Sequence, residues 1–223
     1  MKILTYLKTF SALFFLISSA TQAAVVMNAS RIVMEGTTEK TVTFDNTSEN
    51  PFIVQVGSDN TEKPDFIAMP PVFKIKEKGG QTVKIKLLSD TLPQDKESLF
   101  YLDFIQIPGV SKTENNDNRI NIIIKSRLKV IYRPASVNAF SAKDEKNISY
   151  RLHDGALVIS NNTPNILSVR DIHSGKRILA ERITLLPGGK FSTEFKDKRL
   201  SGPLSAVMIN DYGTPVNFLI ADK

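Results

Sequence analysis

The 223-residue sequence has no cysteine and no tryptophan, and only two histidines, His153 and His173. Without cysteine there can be no disulfide, no thiolate nucleophile and no Cys-ligated zinc or iron–sulfur site. With two histidines a multi-His metal site is nearly excluded, and a Ser-His-acid enzyme would have to use one of the two. His153 precedes Asp154-Gly155, and His173 precedes Ser174-Gly175-Lys176. Both read as turn contexts without a nucleophile partner, so surface histidines are expected and neither metal nor cofactor is. Gly188-Gly189-Lys190 lacks phosphate-loop spacing and reads as a turn. Long apolar runs are missing too. The longest, Ala12–Ile17, is too short to cross a bilayer core of ~30 Å as a helix.

That short run has another reading. Lys2 and Lys8 precede or flank it, and small residues follow at Ser18, Ser19 and Ala20 before Thr21-Gln22-Ala23. Residues 1–23 therefore read as a secretory signal peptide, with no membrane insertion of the mature chain. Its removal takes away two lysines and no acid, which lowers the net charge from +6 to +4. The basic residues are dispersed among acids, and with export this argues against nucleic-acid binding. At 41% hydrophobic and 23% charged residues, the chain has the composition of a globular protein. An exported chain without disulfides must rely on its core.

From Ala24 onward there is no long stretch with 3.6-residue periodicity. Short β-rich runs alternate with period two, among them Lys40–Asn46, Phe52–Gly57, Thr82–Leu87, Phe100–Pro108, Ile120–Tyr132 and Ile166–Asp171. Gly, Pro, Asn and Asp separate them, as in Glu49-Asn50-Pro51 and Lys78-Gly79-Gly80. This punctuation predicts an all-β protein of sandwiches or barrels. Arg133-Pro134 closes the longest run, and the polar stretch Ser141–Asn147 follows. The expected division is 24–140 and 141–223, with no internal repeat evident.

Arg119–Tyr132 is the most informative segment. Alternation puts Ile120, Ile122 and Ile124 on one face, and Ile123 on the other with Arg119, Asn121, Lys125, Arg127 and Lys129. An inner strand would place the isoleucines in the core. An edge strand would offer them to a partner, although long apolar edges are usually avoided. Periodicity leaves both readings open.

A set of residues in order carries a resemblance: Arg31, Asn50-Pro51 with Val54-Gln55, Pro70-Pro71, Leu92-Pro93, Glu97–Leu102, Ile107-Pro108 and Lys129–Pro134. In the second half Asn162-Thr163-Pro164 and Ile209–Gly213 extend it. The chain resembles the periplasmic chaperones of the usher-type pilus assembly pathway. The resemblance implies two immunoglobulin-like sandwich domains set at an angle around a cleft, and a non-enzymatic protein of the periplasm. Its partners would be pilus or fimbrial subunits and an outer-membrane usher. It implies that Ile120, Ile122 and Ile124 form a strand donated to a subunit, a mode of β-strand addition. It further implies that Arg31 and Lys129 anchor the subunit's C-terminal carboxylate, with Ser30 beside Arg31. Glu97, Arg133 and Asp211 would form ion pairs between the domains. Gly57, Gly109 and Lys74 depart from the family pattern, and the short loop before Ile120 resembles the class that serves rod-like pili. The competing expectation is an exported carbohydrate-binding or adhesive sandwich.

Overall fold

The computed structural model describes residues 24–60, 62–89, 91–109, 122–195 and 200–222. The proposed signal segment and Ile120 lie outside the described residues. Among those described, nine strands precede Pro134. They are β1 Val25–Met27, β2 Arg31–Glu35, β3 Glu39–Asn46, β4 Phe52–Ser58, β5 Phe66–Met69, β6 Val72–Ile75, β7 Gly80–Leu87, β8 Ser98–Pro108 and β9 Ile124–Arg133. A 3-10 turn at Ala142–Asn147 leads into β10 Ile148–His153, β11 Ala156–Asn161, β12 Leu167–Ser174 and β13 Arg177–Leu185. The last strands are β14 Lys190–Glu194, β15 Leu204–Ile209, β16 Pro215–Leu219 and β17 Ala221–Asp222.

These make two immunoglobulin-like sandwiches. In the first, sheet β1-β3-β7-β5 faces sheet β2-β9-β8-β4-β6. In the second, β14-β11-β10-β17 faces β13-β12-β15-β16. Alternation explains each strand. Val42 and Phe44 of β3, Val54 and Val56 of β4, and Val83 and Ile85 of β7 point inward while their neighbours meet water. Phe44 packs edge-on against Phe104 at 5.2 Å and tilted against Phe73 at 5.8 Å, joining the two sheets. The second core is built on Ile148, Leu157, Ile159, Leu167 and Ile172, with Phe140 against Phe218 at 5.8 Å.

One short repeat escaped the reading of the sequence. Asn46-x-Ser48-x-Asn50 closes β3 and Asn161-x-Thr163-x-Asn165 closes β11. Each first Asn donates to the carbonyl four residues on, at 2.7 and 2.8 Å, and accepts from the hydroxyl two residues on. Each also receives its own backbone partner from a Gly turn, Gly79 or Gly189. The same corner is thus built once in each sandwich.

Candidate functional site

Parallel pairing of β2 with β9 sets Arg31 opposite Lys129 in register. Both side chains reach the second sandwich. Arg31 Nη1 donates to Ile209 O at 2.8 Å, and Lys129 Nζ donates to Ser168 Oγ at 2.9 Å. The Arg31 Nε is buried and has no hydrogen-bond partner, which is unusual for a buried polar atom. Burial pushes the Arg31 guanidinium below its ordinary value, against the attraction of Asp211. Burial, then repulsion from Arg31, lowers the Lys129 ammonium to about 8. Two partly buried cations thus stand side by side without a carboxylate in ion-pair reach among the described residues, an arrangement whose chemistry suits an anion. The Asn210–Gly213 turn closes over this corner. Gly213 has φ +83°, a conformation that L side chains rarely adopt, and a Cβ there would stand 2.8 Å from Ser30 Oγ.

A second charged cluster lies beside it and is fully paired. Arg133 Nε meets Glu97 Oε1 at 2.6 Å, and its Nη1 meets Asp211 Oδ2 at 2.8 Å and Glu35 Oε1 at 2.6 Å. Burial by itself would lower the Arg133 guanidinium, but the hydrogen bonds and charges of Asp211 and Glu97 outweigh it and raise it. Glu97 also crosses to the second sandwich, accepting from Ile166 N at 2.6 Å and Asn165 Nδ2 at 3.3 Å. The structure therefore brings Glu97, Arg133 and Asp211 together. Glu35 and Ser168 are additions that the sequence reading missed. Glu35 becomes the partner of Arg133 only through the parallel β2–β9 register, the same pairing that joins Arg31 to Lys129. Ser168 has no signal short of the fold.

The isoleucine strand answers to both readings, on different halves. β9 pairs with β8 along its whole length, from Ile124↔Gln106 to Tyr132↔Ser98, without a register shift. Its other edge is covered by β2 only at Lys129–Arg133. Ile124–Leu128 consequently has an open edge among the described residues. The cause is a change of sheet. β1 pairs with β3 in the facing sheet, the chain crosses at Asn28–Ser30, and only β2 then runs beside β9. Ile122 and Ile123 precede the strand and are exposed, as is Ile124. A groove of about 400 Å³ between β1 and this half is lined by Val25, Met27, Phe104, Ile124 and Leu128. Ile124 and Lys129 lie on opposite faces, and no bulge re-aims the strand.

His173 is not in a turn. It belongs to β12, and its Nε2 lies 2.5 Å from Oδ1 of Asp171, a carboxylate that Arg170 also holds at 2.6 Å. Burial favours the neutral Asp171 carboxyl, but hydrogen bonds from Arg170 and His173 win and hold it below the usual carboxylate range. His153 is exposed beside Asp154.

Residues 24–138 match the family model described as pili and flagellar-assembly chaperone, PapD N-terminal domain. The chaperone protein MrkB of Klebsiella pneumoniae is 32% identical over 214 residues, which cover 89% of this chain and 91% of that protein. Among solved structures, the chaperone DraB of E. coli superposes with a TM-score of 0.75 at 22% identity, covering 89% of this chain and 98% of that one. A chain in the structure of Salmonella enterica SafA pilin in complex with the SafB chaperone gives a TM-score of 0.75 at 21% identity, with 90% and 99% covered.

Proposed function

Because the chain belongs to the pili and flagellar-assembly chaperone family, we propose that its open half-strand pairs with a pilus subunit while Arg31 and Lys129 hold that subunit's C-terminal carboxylate. The observation that carries this is the pair of partly buried cations placed side by side where β2 begins, with no carboxylate of the described residues in ion-pair reach. A strand laid beside the chain from Ile122 to the point where β2 begins at Lys129 spans about 23 Å at ~3.3 Å per residue. It lies in line with β2, which stops it. A terminal carboxylate meets the two cations at that stop only if the incoming strand runs parallel to β9. Ile120, Ile122 and Ile124 then fill the subunit's gap, and burying each stabilises by roughly 1.5–3 kcal/mol before ordering costs.

The protein works without catalysis. It acts in the periplasm, with residues 1–23 removed on export, and passes its subunit to an outer-membrane usher. The two units are 24–140 and 141–223, and the Arg133 cluster fixes their mutual angle. No helix among the described residues is long and apolar enough to cross a membrane.

Two experiments test the anchor. In the first, Arg31→Ala and Lys129→Ala are each co-expressed with the pilus subunit that the wild type retains. Both should remain folded and recover at least about tenfold less subunit, since a charge-assisted pair held at a buried site is worth several kcal/mol. Undiminished recovery by the double variant would defeat the proposal.

The second uses pH. The folded-state value of Lys129 is about 8, against an ordinary 10.5. Between these values the unfolded chain binds the extra proton, so Lys129 makes the free protein more stable as pH rises through this window. Carboxylate capture needs the ammonium and should weaken over the same range. Thermal midpoint and subunit capture should thus move in opposite directions above pH 8, and Lys129→Met should remove the first trend. A parallel fall of both in wild type and variant would contradict the assignment.

A further inference from the structure

Among the described residues, Ile124–Leu128 is a strand with a partner on one edge only, and such segments fray. What holds it lies on the face opposite Ile124. Asp103 of β8 pairs directly with Arg127 and lies diagonal to Lys125. Arg127 grips it with a two-pronged contact, Nε to Oδ1 at 2.7 Å and Nη2 to Oδ2 at 2.9 Å. Lys125 Nζ reaches Oδ2 at 2.8 Å. Both cations come from the half of β9 that β2 leaves uncovered, where no second strand of the described residues lies beside Lys125 or Arg127. The other neighbour of Asp103 is Gly57 of β4, whose missing side chain would have pointed into open space. The Asp103 side chain is nevertheless only 8% exposed, and among the described residues the two β9 cations are the charged groups paired with it. Tyr101 completes the cradle, with the Arg127 guanidinium 5.7 Å from its ring centre, and Asp59 lies 3.7 Å from Arg127 Nη1.

We infer that Asp103 is a positioning residue for strand addition: it staples the open half of β9 to β8 through Lys125 and Arg127, and so keeps Ile122 and Ile124 presented in one register before a subunit arrives. The inference rests on the open half-strand being the subunit-binding edge. An Arg–carboxylate fork fixes geometry as well as proximity, so it sets the twist and register of the edge and not merely its attachment. A strand already ordered spares the complex an ordering cost that would otherwise be subtracted from affinity. The missing side chain of Gly57 leaves the sheet face beside Asp103 clear for this cluster.

The test compares Asp103→Asn, Arg127→Gln, the double variant and Ile124→Asp in the full mature protein. Hydrogen exchange is read at those amides of 124–128 that bond to β8, and at 129–133 as an internal reference. In Asp103→Asn the first group should exchange about tenfold faster and the second should not change, as expected of local opening. Capture of the co-expressed pilus subunit should fall by a similar factor. Arg127→Gln, made at an exposed position, should reproduce both effects and keeps the test valid should Asp103→Asn fold poorly. The double variant should be no worse than the more affected single, because one contact is being removed twice. Unchanged exchange at 124–128, or unchanged capture despite faster exchange, overturns the positioning role. Ile124→Asp separates the two readings. If it captures normally, strand addition itself is wrong; if it alone loses capture, only the role of Asp103 is.

Discussion

Ile122→Asp or Ile124→Asp is expected to abolish subunit capture while the free protein melts like the wild type. Ile122 is 68% exposed and Ile124 46% exposed, so a carboxylate at either position meets water in the free protein. Exposed substitutions of this kind usually change stability by no more than about 0.5 kcal/mol. In the complex the same carboxylate would enter an apolar groove without a cation, and burying an unpaired charge costs far more than an isoleucine contributes. The same strand supplies the control. Val130, six residues on, is fully buried in the first core and lies where β2 covers the edge. Val130→Asp should therefore unfold the first sandwich. Circular dichroism melting and co-purification of the subunit, run on the three variants together, divide the strand into its two halves. If Ile122→Asp melted like Val130→Asp, the open edge would not exist in solution.

Much of this was legible in the residues, and the limits have physical causes. Period-two alternation located the strands because each has one buried face. It could not tell an edge from an interior strand, since side-chain alternation reports on faces and says nothing of hydrogen bonding along the edges. Whether β9 has a second neighbour depends on where the first strand changes sheets, at Asn28–Ser30, and no residue there announces the change. Arg31 and Lys129 are far apart in sequence, and only parallel pairing in that register makes them neighbours. Alternation puts Ile124 and Lys129 on opposed faces, and the unbroken β8–β9 register keeps them there. They suit the proposed function, in which one face would fill a subunit's groove while the other, with Lys129, addresses Ser168 of the second sandwich. The Asn-x-Ser/Thr-x-Asn corner was visible at 46–50 and 161–165 and went unread, because its spacing matches no helix or strand period. Asp103 is different in kind. An acidic residue in the middle of an apolar run marks an oddity, but its partners come from the next strand and appear only with the pairing.

Arg133→Ala should be the most destabilising of the charge deletions, and the order of the others tests why. The guanidinium serves three carboxylates of very different exposure: Glu97 at 1%, Asp211 at 29% and Glu35 at 65%. Removing it leaves Glu97 as a buried charge without its cation, supported only by Ile166 N and Asn165 Nδ2. Stripping one partner from a buried pair costs roughly 3–5 kcal/mol. For a chain of this size, where each kcal/mol shifts the midpoint by about 2–4 °C, that is a fall of at least about 6 °C. Glu97→Gln should come next. Its amide would have to place an NH2 against Arg133 Nε or against Ile166 N, and both of those are donors. Asp211→Asn should cost less, and Glu35→Gln should fall within the ~0–1 kcal/mol of an exposed ion pair. Because Glu97 and Asp211 approach Arg133 from different sandwiches, the first two variants should also loosen the angle between them, which small-angle scattering would show as a wider distribution of dimensions. Equal midpoint losses for Glu35→Gln and Glu97→Gln would mean that burial does not set the strength of this cluster. A destabilised Arg133→Ala with unchanged scattering would confine the cluster to stability and remove it from the geometry of the cleft.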